Sequence, residues 1–166
     1  MKIAIISDSH DNIPNLEKFL VWASNNNIET IIHCGDIATP DMVKKIIAPS
    51  FSGSVYLVHG NVSDRDLLES VCDGISNVTL YGDEGSLDIE GIKIAFCHFP
   101  EQARELAETQ NYNLVFYGHT HKPWIEKIGK TTLSNPGTLG GIFSKATFSV
   151  FDTKTNNLEL KILELI

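Results

Sequence analysis

The chain has 166 residues, 42% of them hydrophobic, which suits one compact domain, residues 1–166, with an ample core. Its formal charge of −8, from 21 acidic against 13 basic residues, comes with no basic cluster, which argues against stable binding along a nucleic-acid backbone. No apolar stretch is long enough to cross a membrane, and the short run at 3–6 is broken by Ser7-Asp8-Ser9-His10-Asp11, which a signal peptide would not tolerate; a cytoplasmic location is expected.

Residues 3–6 form a β-branched run and read as a strand. Leu16, Phe19, Leu20 and Ala23 then recur at helical spacing behind Asp11 or Asn12 as N-cap. Residues 30–34 predict a second strand, residues 41–47 a helix started by Thr39-Pro40, and residues 55–58 a third strand. This βαβαβ order predicts neighbouring parallel strands with right-handed crossovers. In the second half, strands are expected at 86–89, 92–97, 114–117, 124–128, 146–151 and 158–163, with one helix over 101–110. Glu90-Gly91 links the first pair as a tight hairpin, and Thr155-Asn156-Asn157 turns the last pair. So many strands in so short a chain fit two packed sheets flanked by helices better than one sheet. Cys34, Cys72 and Cys97 form no CxxC spacing, which argues against a disulfide framework or a zinc ribbon.

How the apolar strands end is more informative. The first runs into Asp8 and His10, the second into Gly35-Asp36, and the third into Gly60-Asn61. The strand at 92–97 runs into His98, and that at 114–117 into Gly118-His119-Thr120-His121. Five strands thus deliver metal-ligand side chains at their carboxyl ends, the edge where α/β sheets bind ligands. Asp8 and His10 are two residues apart, as are His119 and His121, and in extended chain such pairs project to one side. Gly35, Gly60 and Gly118 each precede a candidate, where a missing Cβ permits close backbone approach. Taken singly, Asp-x-His is commonly a turn or a cap, and Gly-Asp or Gly-Asn a β-turn. Turns alone explain poorly why all five ends follow this pattern. His33 and His59 fall within their strands and read as structural, and Asn135-Pro136-Gly137-Thr138 reads as a turn with a weak case for supporting the site.

Asp8, His10, Asp36, Asn61, His98, His119 and His121 exceed what one transition metal takes, whereas two ions sharing one bridging carboxylate use them well. Oxygen and imidazole donors without thiolate favour Mn, Fe, Co, Ni or Zn over Ca or Mg alone. Two carboxylates against two divalent ions leave the centre positive and suited to a phosphate. A hydroxide between the ions would attack phosphorus in line, so no protein nucleophile is required. The expected partner is a small phosphodiester.

These residues resemble the calcineurin-like metallophosphoesterases. The likeness rests on Asp8-Ser9-His10, Gly35-Asp36, Gly60-Asn61, His98 and Gly118-His119-Thr120-His121, in order over nearly the whole chain. The short length, Ser7-Asp8-Ser9-His10-Asp11-Asn12 and Asn135-Pro136-Gly137 look most like the small bacterial and archaeal phosphodiesterases of that superfamily. The resemblance implies a four-layer αββα sandwich of two mixed β-sheets flanked by helices. It implies one metal on Asp8, His10 and His121, a second on Asn61, His98 and His119, and Asp36 between them, with Mn the usual ion. It also leaves a homo-oligomer open.

Two positions depart from the family pattern. Phosphatases of the superfamily carry a His after Gly-Asn to protonate the leaving group; here Val62-Ser63-Asp64 follows, which favours diesters over alkyl monoesters. Phe99 stands where many members have Gly, and either stacks on an aryl or nucleoside group or packs in the core. Two rival readings share the fold. One is a non-enzymatic scaffold, as in a eukaryotic retromer subunit that has lost metal ligands. The other is a nuclease, a longer type of chain with DNA-binding parts that this one lacks.

Overall fold

The computed structural model describes residues 1–166. Two sheets lie face to face with helices on both outer sides, as the four-layer reading expects. The first sheet has the order β11-β10-β1-β2-β3-β4, built from β1 (Lys2–Ile6), β2 (Thr30–His33), β3 (Ser54–Leu57), β4 (Val78–Leu80), β10 (Thr147–Asp152) and β11 (Asn157–Ile162). The second has the order β5-β6-β7-β9-β8, from β5 (Glu84–Ile89), β6 (Ile92–Cys97), β7 (Leu114–Phe116), β8 (Trp124–Ile128) and β9 (Thr131–Asn135). Both sheets are mixed: β1, β2, β3 and β4 run parallel in sequence while β10 is antiparallel to β1, and β6-β7-β9 is parallel between antiparallel edges.

The alternation of side chains across the sheets explains the layers. Ala4 and Ile6 face a core shared with α1 (Ile13–Asn25), whose Leu16, Phe19, Leu20 and Ala23 pack inward at the expected spacing. Ile3 and Ile5 face the opposite way, into a core between the sheets with Ile32, Ile94, Phe96, Leu114 and Phe116. A third core joins Ala95, Val115 and Leu133 to Ala103 and Ala107 of α4 (Pro100–Glu108). Because both faces of β1 and β2 are covered, the residues at 3–6 and 31–32 read as apolar runs without alternation. No helix is long and apolar enough to cross a membrane.

Several local expectations change. Asn12 is the N-cap of α1, accepting from the Asn15 N–H, while Asp11 instead accepts from the Thr39 N–H and hydroxyl. The segment expected as a helix over 41–47 is π-helical across Val43–Ile47 before continuing as α2 (Ala48–Ser50). Pro49 has no N–H to give to an i−4 carbonyl, and the Ala48 N–H reaches five residues back to Val43. α3 (Arg65–Cys72) and β4 were not anticipated, and neither was β9. The β9 residues Thr-Thr-Leu-Ser-Asn carry no apolar period, yet all five are buried, with Thr131 and Ser134 hydroxyls donating to the Tyr112 and Trp124 carbonyls.

Candidate metal centre

The carboxyl ends of β1, β2, β3, β6 and β7 open onto one edge of the sandwich and carry the seven expected residues there. The loop after β1 is tied to the loop after β2: Asp8, His10 and Asp11 N–H groups donate to the Gly35, Asp36 and Ile37 carbonyls. The segment after β9 holds it from the other side, with the Thr138 hydroxyl and Gly140 N–H donating to the Asp8 carbonyl. The Asn135 amide donates to the Gly118 carbonyl at 2.7 Å and the Thr120 hydroxyl at 3.1 Å, so the Asn-Pro-Gly-Thr turn does support the histidine loop.

The expectation of extended Asp-x-His and His-x-His pairs is corrected. Asp8, His10, Asp36, His119 and His121 all have left-handed backbone, with φ between 44° and 67°. These short turns, not strand geometry, bring the side chains inward. Such conformations cost of order 1 kcal/mol or more each and persist where surrounding contacts impose them; the backbone pairing just described does so. The glycines act by absence. A Cβ at Gly60 would meet Asp36 Oδ1, and one at Gly118 would meet the Ser7 hydroxyl and lie 2.7 Å from Asp8 Oδ2.

The side chains fall into two groups that meet at Asp36. In the first, His10 Nε2 and His121 Nε2 lie 3.0 Å apart, and Asp8 Oδ1 is 3.2 Å from His121 Nε2 and 3.7 Å from His10 Nε2. In the second, Asn61 Oδ1 is 3.0 Å from His98 Nε2 and 2.9 Å from His119 Nδ1. Asp36 Oδ2 lies 3.4 Å from His98 Nε2 and 3.9 Å from His10 Nε2, within reach of both. Asp36 Oδ1 accepts the Val62 N–H at 3.0 Å, which orients the carboxylate.

This donor set fits divalent cations. Asp8 Oδ1 is buried without a hydrogen-bond partner although it faces two imidazoles. His98 Nδ1 lies 2.8 Å from the Cys34 carbonyl, a contact that needs the proton on Nδ1 and so turns the Nε2 lone pair towards Asn61 and Asp36. Electron-rich atoms converging in this way repel one another unless a proton or a cation lies among them. Asp8-His10-His121 and Asp8-Asp36-His98 each converge closely enough to hold an ion.

The carboxylates and imidazoles also shift one another's titration. The Asp8 carboxylate 3.7 Å away holds the His10 pKa above its ordinary value, against the opposing effect of burial. Burial alone would depress His98, but the neighbouring Asp36 carboxylate and the Cys34 carbonyl leave it raised. Burial likewise pushes the Asp36 carboxyl up, and His98 with the Val62 N–H brings it below the usual carboxylate range.

The two other histidines stand apart. His33 lies in β2 with Nε2 3.1 Å from the Ser9 hydroxyl, and burial drives its pKa down to about 4. His59 lies two residues beyond β3, not within it, and turns to Glu69 of α3 at 3.3 Å. Asp64 caps α3 by accepting the Leu67 N–H, while Ser63 Oγ is buried without a partner. Phe99 does not join the core: it is 40% exposed beside His98 and His119. The role of Gly140 was missed and that of Thr138 was foreshadowed only by the weak case for its turn; no local signal marks either contact, since their Asp8 partner is about 130 residues away in the chain.

A two-sheet sandwich gathering Asp, Asn and His donors at one edge defines a metallophosphoesterase-type site. Consistently, the chain matches the calcineurin-like phosphoesterase superfamily domain over residues 1–156 and belongs to that family. It is 30% identical to phosphodiesterase MJ0936 of Methanocaldococcus jannaschii, over 99% of this chain and all of that protein. The solved structure of an archaeal phosphodiesterase superposes with a TM-score of 0.83 at 27% identity, covering 98% of this chain and 99% of that one. Vps29 from Entamoeba histolytica, solved with zinc, shares the fold at a TM-score of 0.72 and 17% identity, covering 98% and 99% of the two chains.

Proposed function

We propose that this protein is a phosphodiesterase that holds two divalent ions, Mn²⁺ first among them, on the seven converging side chains. Asp8, His10 and His121 would hold one, Asn61, His98 and His119 the other, and Asp36 would be shared. The observation that carries this reading is the position of Asp36 Oδ2, 3.4 Å from a histidine of one group and 3.9 Å from a histidine of the other. Bound there, the ions would supply Lewis-acid charge to the phosphoryl oxygens and lower the pKa of the water that attacks phosphorus in line.

The chain's own residues hold and orient. Asp8 and Asp36 contribute two negative charges, the His98 contact to the Cys34 carbonyl sets a tautomer, and the Val62 N–H fixes the Asp36 carboxylate. No histidine follows Asn61 to protonate a poor leaving group: the Val62 side chain has no proton to give, the Ser63 hydroxyl is buried, and Asp64 is engaged as a helix cap. General-acid catalysis contributes about 10²-fold or more, so its absence favours diesters and esters with acidic leaving groups over alkyl monoesters. The archaeal relative's activity as a phosphodiesterase supports the same preference. The scaffold reading gains nothing from Vps29, whose likeness extends to the fold alone.

The test is hydrolysis of bis(p-nitrophenyl) phosphate and p-nitrophenyl phosphate by chelator-stripped protein, with and without Mn²⁺. Turnover restored by metal and favouring the diester is expected. Folded protein inactive with every divalent metal would place the scaffold reading first.

A further inference from the structure

Phe99 is a large apolar side chain left 40% exposed at the mouth of the metal centre. Its ring centroid lies 5.0 Å from that of His98 and 4.9 Å from that of His119, and the two imidazoles are 5.1 Å apart. The three rings therefore form a nearly equilateral triangle. Although packed against both histidines, the Phe99 side chain stays partly open to solvent.

The residue is also held in place. Pro100 starts α4 directly after it, and the Phe99 carbonyl accepts both the Ala103 N–H at 3.0 Å and the Cys97 thiol at 3.6 Å. An aromatic ring with few rotatable bonds loses little freedom when it stacks, so the ordering cost of such a contact is small.

We infer that Phe99 forms an aromatic subsite that stacks on one ester arm of the substrate, selecting phosphodiesters in which that arm carries a flat ring, a nucleobase above all. The inference rests on the phosphodiesterase reading for the position of the phosphate. A phosphoryl group held among Asn61, His98 and His119 would lie beside Phe99, whose ring is 5.0 and 4.9 Å from the two imidazoles. Stacking is tolerant of base identity, because every base presents a π face; the subsite thus selects a nucleoside class and not one base.

The experiment compares binding of adenosine 5′-monophosphate and methyl phosphate to the Mn²⁺-loaded protein by calorimetry, in wild type, Phe99→Leu and Phe99→Tyr. The wild type is expected to prefer the nucleotide about 10-fold, within the range for one aromatic pair. Phe99→Leu keeps apolar bulk but removes the π face, and is expected to lose most of that preference. Phe99→Tyr is expected to keep it. No preference in the wild type, a preference that survives in Phe99→Leu, or one that disappears in Phe99→Tyr would each overturn the assignment. Turnover of bis(p-nitrophenyl) phosphate without nucleotide preference would strike the subsite alone. A Phe99-dependent preference in a protein without turnover would strike the catalytic reading and leave the subsite standing.

Discussion

Replacing Asp36 with Asn tests the shared-metal arrangement most directly. The amide is nearly isosteric and its oxygen can still accept the Val62 N–H, so the loop geometry is expected to survive. What disappears is one negative charge between the two histidine groups. A unit positive charge where His98 Nε2 stands, 3.4 Å from Asp36 Oδ2, is attracted by about 5 kcal/mol at an effective dielectric of about 20. A divalent ion feels about twice that. If only about a quarter survives competition from water and neighbouring charges, the loss is about 2.5 kcal/mol, on the order of 60-fold in affinity.

Because both groups reach Asp36, both ions should weaken. Titration of metal-free protein with Mn²⁺ should therefore show two weakened sites and not one. Diester hydrolysis at fixed metal should fall further than in Ser63→Ala or Asp64→Asn, the second of which preserves a helix cap. Circular dichroism of the metal-free variant checks that the fold is retained. Two sites of near wild-type affinity, with near-normal turnover, would refute the sharing of Asp36.

Two further changes probe the surroundings of the site. His33 is neutral in the fold, its pKa pushed by burial from 6.5 to about 4. The unfolded chain therefore takes up the extra proton as pH falls from 6.5 towards 4, and metal-free stability drops by about 3 kcal/mol over that window, levelling off below it. His33→Gln should remove this part of the pH dependence in denaturant melts; an unchanged slope would exclude His33 as its source. Gly118→Ala should destabilise by about 1–3 kcal/mol through overpacking and should weaken Mn²⁺ binding, because the new Cβ meets the Ser7 hydroxyl and Asp8 Oδ2. A melting temperature and metal affinity equal to wild type would show that the close approach of these loops is unnecessary.

The apolar runs at β1, β2, β7 and the second half of β6 were legible because both faces are buried, β3 because its apolar residues survive the alternation, and the polar residues following them stood out by contrast. Local chemistry therefore determined the two-sheet architecture and all seven members of the converging set. β9 was illegible because its polar side chains are satisfied by distant carbonyls, such as Tyr112 for Thr131, which no local pattern announces. α3 was missed because only Leu68 and Cys72 of its eight residues are buried, so its apolar face is too narrow to read.

Tertiary structure alone decided the left-handed turns at Asp8, His10, Asp36, His119 and His121. A non-glycine residue enters that conformation against its own preference, and here the backbone bonds between the β1 and β2 loops, with the Thr138–Gly140 clasp on Asp8, help to impose it. It likewise decided that His59 turns to Glu69 and that Phe99 stands open beside the site. Which residues can bind metal is a property of side-chain chemistry and is written locally. Which of them meet depends on contacts between residues up to about 130 positions apart, and these exist only once both sheets have assembled.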